Sequence, residues 1–221
     1  MDDESRLVAY QKAKYIKENM FGRTFHLHFH ILENLANTFE KDDLTYVEIG
    51  TFEGGSLSLM MQNKKIKNLI GIDPLCIAGQ EENLKKNTVK FNIHGSNVQH
   101  IKRYSYDEAI FPILDTLPNG IDILFIDGDH QYQPVINDFN LYYKYVNKGG
   151  YIVFDDYQDY RWSPQVMPAV NKIVADIQAG KYSPYKFEVI GCYPNNTGEV
   201  VSNIPVHGDM NNEFILKVVD K

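Results

Sequence analysis

From Leu44 onward, short apolar runs alternate with longer stretches in which apolar residues recur at helical spacing. That alternation is the signature of βαβ units and a parallel sheet. Five strands are expected: Thr45-Tyr46-Val47-Glu48-Ile49, Asn68-Leu69-Ile70-Gly71-Ile72, Val89 to His94, Ile121-Asp122-Ile123-Leu124-Phe125-Ile126, and Gly150-Tyr151-Ile152-Val153-Phe154. Between the last two, Val135, Ile136, Phe139, Tyr142, Tyr143 and Val146 predict a crossover helix, with Pro134 tolerated in its first turn and Gly149-Gly150 closing it. The tail changes character. A helix from about Pro164 to Ala179 precedes two longer β runs, Lys186 to Tyr193 and Glu213 to Val219. The connection between them holds Pro, Gly and Asn, so an antiparallel pair is expected. Residues 1–43 read as mostly helical, with Leu32, Leu35, Ala36 and Phe39 forming one apolar face that caps the sheet.

The chain has 221 residues, 43% of them apolar, with no repeat, low-complexity tract or linker, so one domain spanning 1–221 is expected. No apolar run approaches the roughly 18 to 20 residues of a spanning helix, and Met1-Asp2-Asp3-Glu4 is the opposite of a basic signal-peptide start. A soluble, cytoplasmic protein away from membranes is expected. The 22 basic and 29 acidic residues leave a net charge of −7, with the basic residues scattered. Phosphate binding needs clustered Lys and Arg, so nucleic acid is not an expected partner. Cys76 and Cys192 lack metal-type spacing and read as reduced thiols. Asn195-Asn196-Thr197 reads as a polar turn. The oligomeric state is left open, a homo-oligomer included.

In an open α/β sheet, ligands bind outside the carboxyl ends of the strands. Here those ends carry Glu48, Asp73, Asp127, Asp155 and Asp156. One such residue is often only a turn former. Five along one edge call for a cation, a set of ligand hydroxyls, or both, because uncompensated carboxylates repel one another. The first strand runs into Glu48-Ile49-Gly50-Thr51-Phe52-Glu53-Gly54-Gly55-Ser56, a turn that brings backbone close to a ligand at the start of a helix. It is neither the dinucleotide fingerprint, which needs glycine at position 52, nor a P-loop, which needs a Lys-Ser/Thr pair after the turn. Asp73 lies 23 residues beyond Gly50, where an acid can accept both hydroxyls of a ribose. A nucleoside-bearing cofactor follows from the two together.

The set Val47-Glu48-Ile49-Gly50-Thr51, Gly54-Gly55-Ser56, Ile72-Asp73, Phe125-Ile126-Asp127-Gly128-Asp129-His130 and Gly149-Gly150-Tyr151-Ile152-Val153-Phe154-Asp155-Asp156-Tyr157 resembles the class I S-adenosylmethionine-dependent methyltransferases. More narrowly, it is similar to the metal-dependent sugar O-methyltransferases of macrolide and aminocoumarin biosynthesis and their bacterial and viral relatives. The likeness covers roughly residues 44–180, and its specific part is Ile-Asp-Gly-Asp-His followed by Asp-Asp. It implies a Rossmann-like, doubly wound α/β sheet of seven strands, mostly parallel with a C-terminal antiparallel pair. It further implies that Glu48, Gly50, Thr51 and Ser56 line the methionine side of S-adenosylmethionine, that Asp73 takes the ribose and that Gly95-Ser96, after the third strand, flank the adenine. Asp127, Asp155 and Asp156 would bind a divalent cation, and either Asp129 or His130 would be the base.

The spacing supports a metal on its own terms. Asp127 and Asp155 are 28 residues apart, one βαβ unit, which returns the chain to a strand about 4.8 Å away. An all-oxygen set favours Mg²⁺, with Mn²⁺ or Ca²⁺ as alternatives. Successive strand residues point to opposite faces, so Asp155 and Asp156 share an ion only where the chain has already turned. Methyl transfer displaces a sulfonium, and a cation that lowers a hydroxyl's pKa eases the work of a base. His130 reads equally as a ligand-orienting histidine, and Asp129 equally as a helix cap. In the following loop, Tyr157, Arg161 and Trp162 are candidate acceptor contacts that would stack a sugar ring and grip a phosphate, and Trp162 reads equally as a staple for the next helix. His26, His28 and His30 read as part of a packing helix rather than as ligands.

The expected activity is O-methylation of a hydroxyl of a sugar, nucleotide-sugar or other small polyhydroxylated acceptor. No Asn/Asp-Pro-Pro-aromatic segment follows the fourth strand, so the likeness does not extend to the amino-methylating DNA enzymes. Two rivals stay open. Asp127-Gly128-Asp129 also fits the D-x-D motif of a nucleotide-sugar glycosyltransferase or of an aspartyl-phosphate phosphohydrolase. The other rival is a non-catalytic cofactor binder or a hydroxylase relative.

Overall fold

The structure, a computed structural model, describes residues 3–23, 27–193 and 212–221. Phe25, His26, the side chain of His28, the Asn195-Asn196-Thr197 turn and most of the connection before the last strand lie outside the described residues. Seven strands form one sheet in the order β3-β2-β1-β4-β5-β7-β6. The described chain falls into two compact units, one up to Tyr104 and the other from Ser105.

In the first unit, α1 (Asp3–Asn19) and α2 (His30–Asn37) lead into β1 (Leu44–Ile49), α3 (Gly55–Met61), β2 (Ile66–Ile72), α4 (Gln80–Phe91) and β3 (Asn97–Ile101). β2 pairs parallel with β1 on one side and with β3 on the other. All six residues of β1 are buried, as a parallel strand covered on both faces requires. α1 packs on α2 and α3, and α3 packs on α4 and β2. The N-terminal helices thus rest mainly on other helices. Leu32, Leu35 and Ala36 are buried as expected, whereas Phe39 lies past the end of α2 and is half-buried. His30 is buried, with Nδ1 3.0 Å from the Leu27 carbonyl oxygen and its ring edge-on to Tyr10.

The second unit holds α5 (Phe111–Asp115), β4 (Ile121–Ile126), α6 (Tyr132–Tyr142), β5 (Val146–Phe154), α7 (Val166–Gln178), β6 (Lys186–Tyr193) and β7 (Glu213–Asp220). β4 and β5 pair in parallel; β7 runs antiparallel to both β5 and β6. Phe139, fully buried on α6, anchors an aromatic core, with Phe154, Tyr182 and Phe187 at ring-centroid distances of 5.2 to 6.0 Å. Such pairs add to what area burial alone supplies. No helix among the described residues is long and apolar enough to cross a membrane.

The third strand differs from expectation. Val89 to His94 is not a strand: its first residues end α4, and the strand follows at Asn97–Ile101. Val89, Phe91 and Ile93 alternate in sequence, but only Phe91 is buried, while Val89 is 86% exposed. The stripe that packs is Gln80, Leu84, Asn87 and Phe91, a helical period that includes two amides. Gly95 and Ser96 consequently precede β3, at the amino end of that strand. The Ser96 hydroxyl donates to the Ile66 carbonyl oxygen at the start of β2, 2.7 Å away. Their expected place at the carboxyl end of β3, beside adenine, is corrected: that position is held by Lys102 and Arg103.

Candidate functional site

In the first unit, the turn after β1 is built around two carboxylates. Glu48, fully buried, accepts at Oε2 from the Tyr46 hydroxyl (2.6 Å) and the Ser56 hydroxyl (2.9 Å). Its Oε1 and the Thr51 hydroxyl oxygen are buried with no partner at hydrogen-bonding distance among the described residues. Burial pushes the Glu48 carboxyl up to about 8, with Tyr46, Ser56 and, at longer range, Thr51 only partly offsetting it. Gly50 and Gly54 have φ of 90° and 81°, and Phe52 sits at φ 50° between them. Only glycine takes the left-handed region without cost, which explains the two glycines.

Asp73 closes this turn. It accepts from the Phe52 N–H (2.8 Å), the Leu75 N–H (2.6 Å) and the Gln80 side-chain amide (2.9 Å). A carboxylate has about four lone-pair sites. One therefore remains for a ligand hydroxyl, and a second hydroxyl would have to share with Gln80 or displace it.

Three contributors to the turn escape sequence reasoning. One is Gln80, whose amide donates to Asp73. Glu53, also buried, accepts from the Arg23 N–H (2.5 Å) and the Asn83 side-chain amide (2.9 Å). Gly71 faces Glu48 in the β1–β2 register, and a Cβ there would overlap the Thr51 side chain. Gly71→Val is expected to destabilise the protein by about 1–3 kcal/mol, the usual effect of overpacking, read as a lower urea midpoint.

In the second unit, a cluster forms where β4 and β5 end. One ligand atom each from Asp127, His130 and Asp156 lies within 4.8 Å of the other two. His130 Nε2 is 3.2 Å from Asp127 Oδ1, and its Nδ1 is 3.3 Å from Asp156 Oδ2. The geometry answers the question of opposite faces. Asp155 continues the strand ladder through its N–H to the Ile126 carbonyl oxygen, 3.1 Å away, while Asp156 adopts a left-handed φ of 56°. The chain has turned between them, and Asp156 joins Asp127. Asp155, buried as well, is outside the converging trio, yet its charge acts on both.

The electrostatics are those of crowded acids. Burial, then the charge of Asp155, raises Asp127 well above the usual carboxylate range and Asp156 to about 6. Burial lowers His130, but the hydrogen bond to Asp127 and the charges of Asp127, Asp156 and Asp155 outweigh it and lift the ring to about 9. Ser163, which the sequence did not single out, bridges the ring and Asp156. Asp129 lies apart. It is exposed, and its Oδ1 accepts from the Gln131 N–H (3.1 Å) at the start of α6.

The loop after Asp156 turns on buried Asp159, whose Oδ1 accepts from the Arg161 N–H (2.8 Å) and the Trp162 N–H (2.9 Å). Trp162 is 74% exposed, with the Arg161 guanidinium 4.8 Å from its ring centroid. It does not staple the following helix. Tyr157 is held by Asn171 (2.7 Å) and packs on Phe214.

A mostly parallel seven-stranded sheet with a reversed final pair, opening on a glycine-rich turn, is the Rossmann-like architecture of methyltransferases. Residues 47–157, half of the chain, match the family described as Methyltransferase domain, and the chain belongs to that family. Solved structures similar to it share the fold. The O-methyltransferase TomG from Streptomyces achromogenes, involved in tomaymycin synthesis and solved with SAM, is 16% identical with a TM-score of 0.59, the match covering 100% of this chain and 92% of that one. An O-methyltransferase from Bacillus cereus in complex with SAH is 14% identical with a TM-score of 0.58 and the same coverage. An rRNA methylase from Streptococcus thermophilus is 10% identical with a TM-score of 0.60, covering 91% of this chain and 100% of that one.

Proposed function

We propose that this chain is a single-domain, cytoplasmic, S-adenosylmethionine-dependent O-methyltransferase that uses a divalent cation to act on a hydroxyl of a sugar or other small polyhydroxylated acceptor. The observation that carries this reading is the convergence of Asp127, His130 and Asp156 in a chain of the methyltransferase family. The O-methyltransferases of similar fold support the choice of oxygen as the methylated atom. The net charge of −7 weighs against a nucleic-acid acceptor.

The residues suit the groups they would hold. Glu48 offers a buried oxygen without a partner among the described residues, suited to the cationic, hydrogen-bond-donating methionine end of the cofactor, with Gly50, Thr51 and Ser56 around it. Asp73 offers its remaining lone pair to a ribose hydroxyl. Asp127 and Asp156 would hold the cation, with Asp155 adding negative charge. Their raised pKa values fit, because carboxylates desolvated and crowded by the charge of Asp155 are relieved by a cation. Mg²⁺ fits the oxygens, with Mn²⁺ or Ca²⁺ as alternatives.

A bound divalent cation supplies Lewis acidity to a coordinated hydroxyl. His130 is the group placed to take the acceptor's proton once a cation offsets the charges of Asp127 and Asp156 that keep its ring protonated, whereas Asp129 accepts from the Gln131 N–H in the turn ahead of α6. Trp162 and Arg161 present an exposed ring and cation to the acceptor, with Tyr157 beside them.

S-Adenosylmethionine and S-adenosylhomocysteine are expected to raise the melting temperature, and a UDP-sugar is not. Radiolabelled methyl transfer to a panel of sugars is expected with Mg²⁺ or Mn²⁺ and not in EDTA. No shift with either cofactor form would sink the reading. Transfer undiminished in EDTA would remove the metal from it.

A further inference from the structure

We propose that Ser163 is a positioning residue whose hydroxyl holds the His130 ring by Nδ1, so that Nε2 is the nitrogen turned to Asp127 and to the acceptor's hydroxyl. This rests on the reading of His130 as the acceptor's base.

Ser163 is 2% exposed and carries a single hydroxyl proton. Its oxygen lies 2.6 Å from Asp156 Oδ2 and 2.7 Å from His130 Nδ1. A carboxylate oxygen only accepts, so the hydroxyl proton goes to Asp156. The serine oxygen is then left to accept, and Nδ1 must donate to it. The hydrogen bonds that a histidine's shell demands fix how its ring is turned. Ser163 sets the demand at Nδ1, and Nε2 faces Asp127 Oδ1 at 3.2 Å, an oxygen that likewise only accepts, so Nε2–H donates there and Nε2 is the nitrogen whose proton a cation held by Asp127 would free.

The serine is itself well fixed. Its N–H donates to the Asp159 carbonyl oxygen (3.2 Å), and its own carbonyl accepts from the Val166 N–H (3.1 Å) at the start of α7. Without the hydroxyl, Nδ1 has an alternative acceptor in Asp156 Oδ2, 3.3 Å away. Taking it would swing the ring and draw Nε2 from Asp127. The loop that carries Trp162 outward therefore also sets the histidine inward, through consecutive residues.

The test uses ¹⁵N-histidine-labelled full-length protein and the variants Ser163→Ala, Ser163→Cys and Ser163→Thr. In the wild type, a slowly exchanging Nδ1–H resonance is expected for His130, assigned by its absence from His130→Gln. Ser163→Thr keeps it; Ser163→Ala and the near-isosteric Ser163→Cys lose or displace it. In methyl transfer with Mg²⁺, Ala and Cys are expected to lower kcat by about 10- to 100-fold, the range for groups that orient a site's ligands, with KM for S-adenosylmethionine unchanged and Thr restoring the rate. An unaltered Nδ1–H resonance in the Ala or Cys variant, an unchanged kcat, or a Thr variant no better than Ala would overturn the proposal. The resonance is read without turnover. A wild type that transfers no methyl group would therefore refute the proposed function while the role of Ser163 in holding the ring is still measured.

Discussion

Asp127→Asn is expected to lower metal-stimulated kcat/KM by at least about a thousandfold while S-adenosylhomocysteine still raises the melting temperature as in the wild type. Asp127 stands immediately after β4, its carboxyl within reach of both His130 and Asp156. The amide keeps the shape but removes the charge that a cation needs. A Lewis acid acting on a hydroxyl supplies several kcal/mol, and about 4 kcal/mol is a thousandfold. Cofactor binding is assigned to Glu48 and Asp73, on other strands, and is expected to be untouched. Burial and Asp155 both disfavour the ionised form of Asp127, so the variant is expected to be no less stable than the wild type. Kinetics across a Mg²⁺ and Mn²⁺ series, with a thermal shift in S-adenosylhomocysteine alongside, check the two halves. Wild-type turnover by the variant in EDTA would remove Asp127 from the chemistry.

Glu48→Gln is expected to make the ligand-free protein more stable than the wild type at pH 8 to 9, and to leave the two alike near pH 4. The Glu48 carboxyl titrates at about 8 when folded, against an ordinary 4.5. Between those values the folded state holds a proton that the unfolded state has lost, so stability falls as pH rises from 4.5 to about 8 and then levels off. At 1.36 kcal/mol per unit, the whole window amounts to about 5 kcal/mol. The amide carries no such penalty. Urea midpoints of the two proteins over pH 4 to 9 check it, since titration of Asp127, His130 and Asp156 is common to both and drops out of the difference. Parallel curves would show that Glu48 is ionised at ordinary pH in the fold. The same substitution is expected to weaken S-adenosylmethionine binding by about 10- to 100-fold, the worth of a hydrogen bond to a charged group. The residue would then be costly to the empty fold and useful to the loaded one.

Much of this arrangement was legible in the chain because parallel strands buried on both faces read as unbroken apolar runs. β1, the end of β2, β4 and the end of β5 come close to that, and each carries an acid at its carboxyl end, Glu48 as the last residue but one of β1 and Asp73, Asp127 and Asp155 just past the others. β3 was missed because only Ile101 of its five residues is buried, so its polar sequence offers no run to read. α4 was misread because Gln80 and Asn87 do work that apolar residues usually do: they bond Asp73 and the Glu53 carbonyl oxygen and so occupy the packed face. The acids of the candidate site could be found from their positions in the strand pattern. Ser163 could not, since a serine beside a proline in a polar loop looks the same whether or not it bridges a histidine to a carboxylate. Gly71 was equally silent, because its role is the space left for Thr51.

The left-handed backbone of Asp156 narrows what that position tolerates. Outside glycine, short side chains such as asparagine and aspartate visit this region at least cost, while others are penalised by about 1–2 kcal/mol. Lengthening the arm to glutamate would burden the peptide geometry as well as shift the oxygens, so diversification of the second acid should run through Asn and Gly rather than Glu. A library at position 156, sorted on retained folding alone, would reveal that bias before any methyl group is counted.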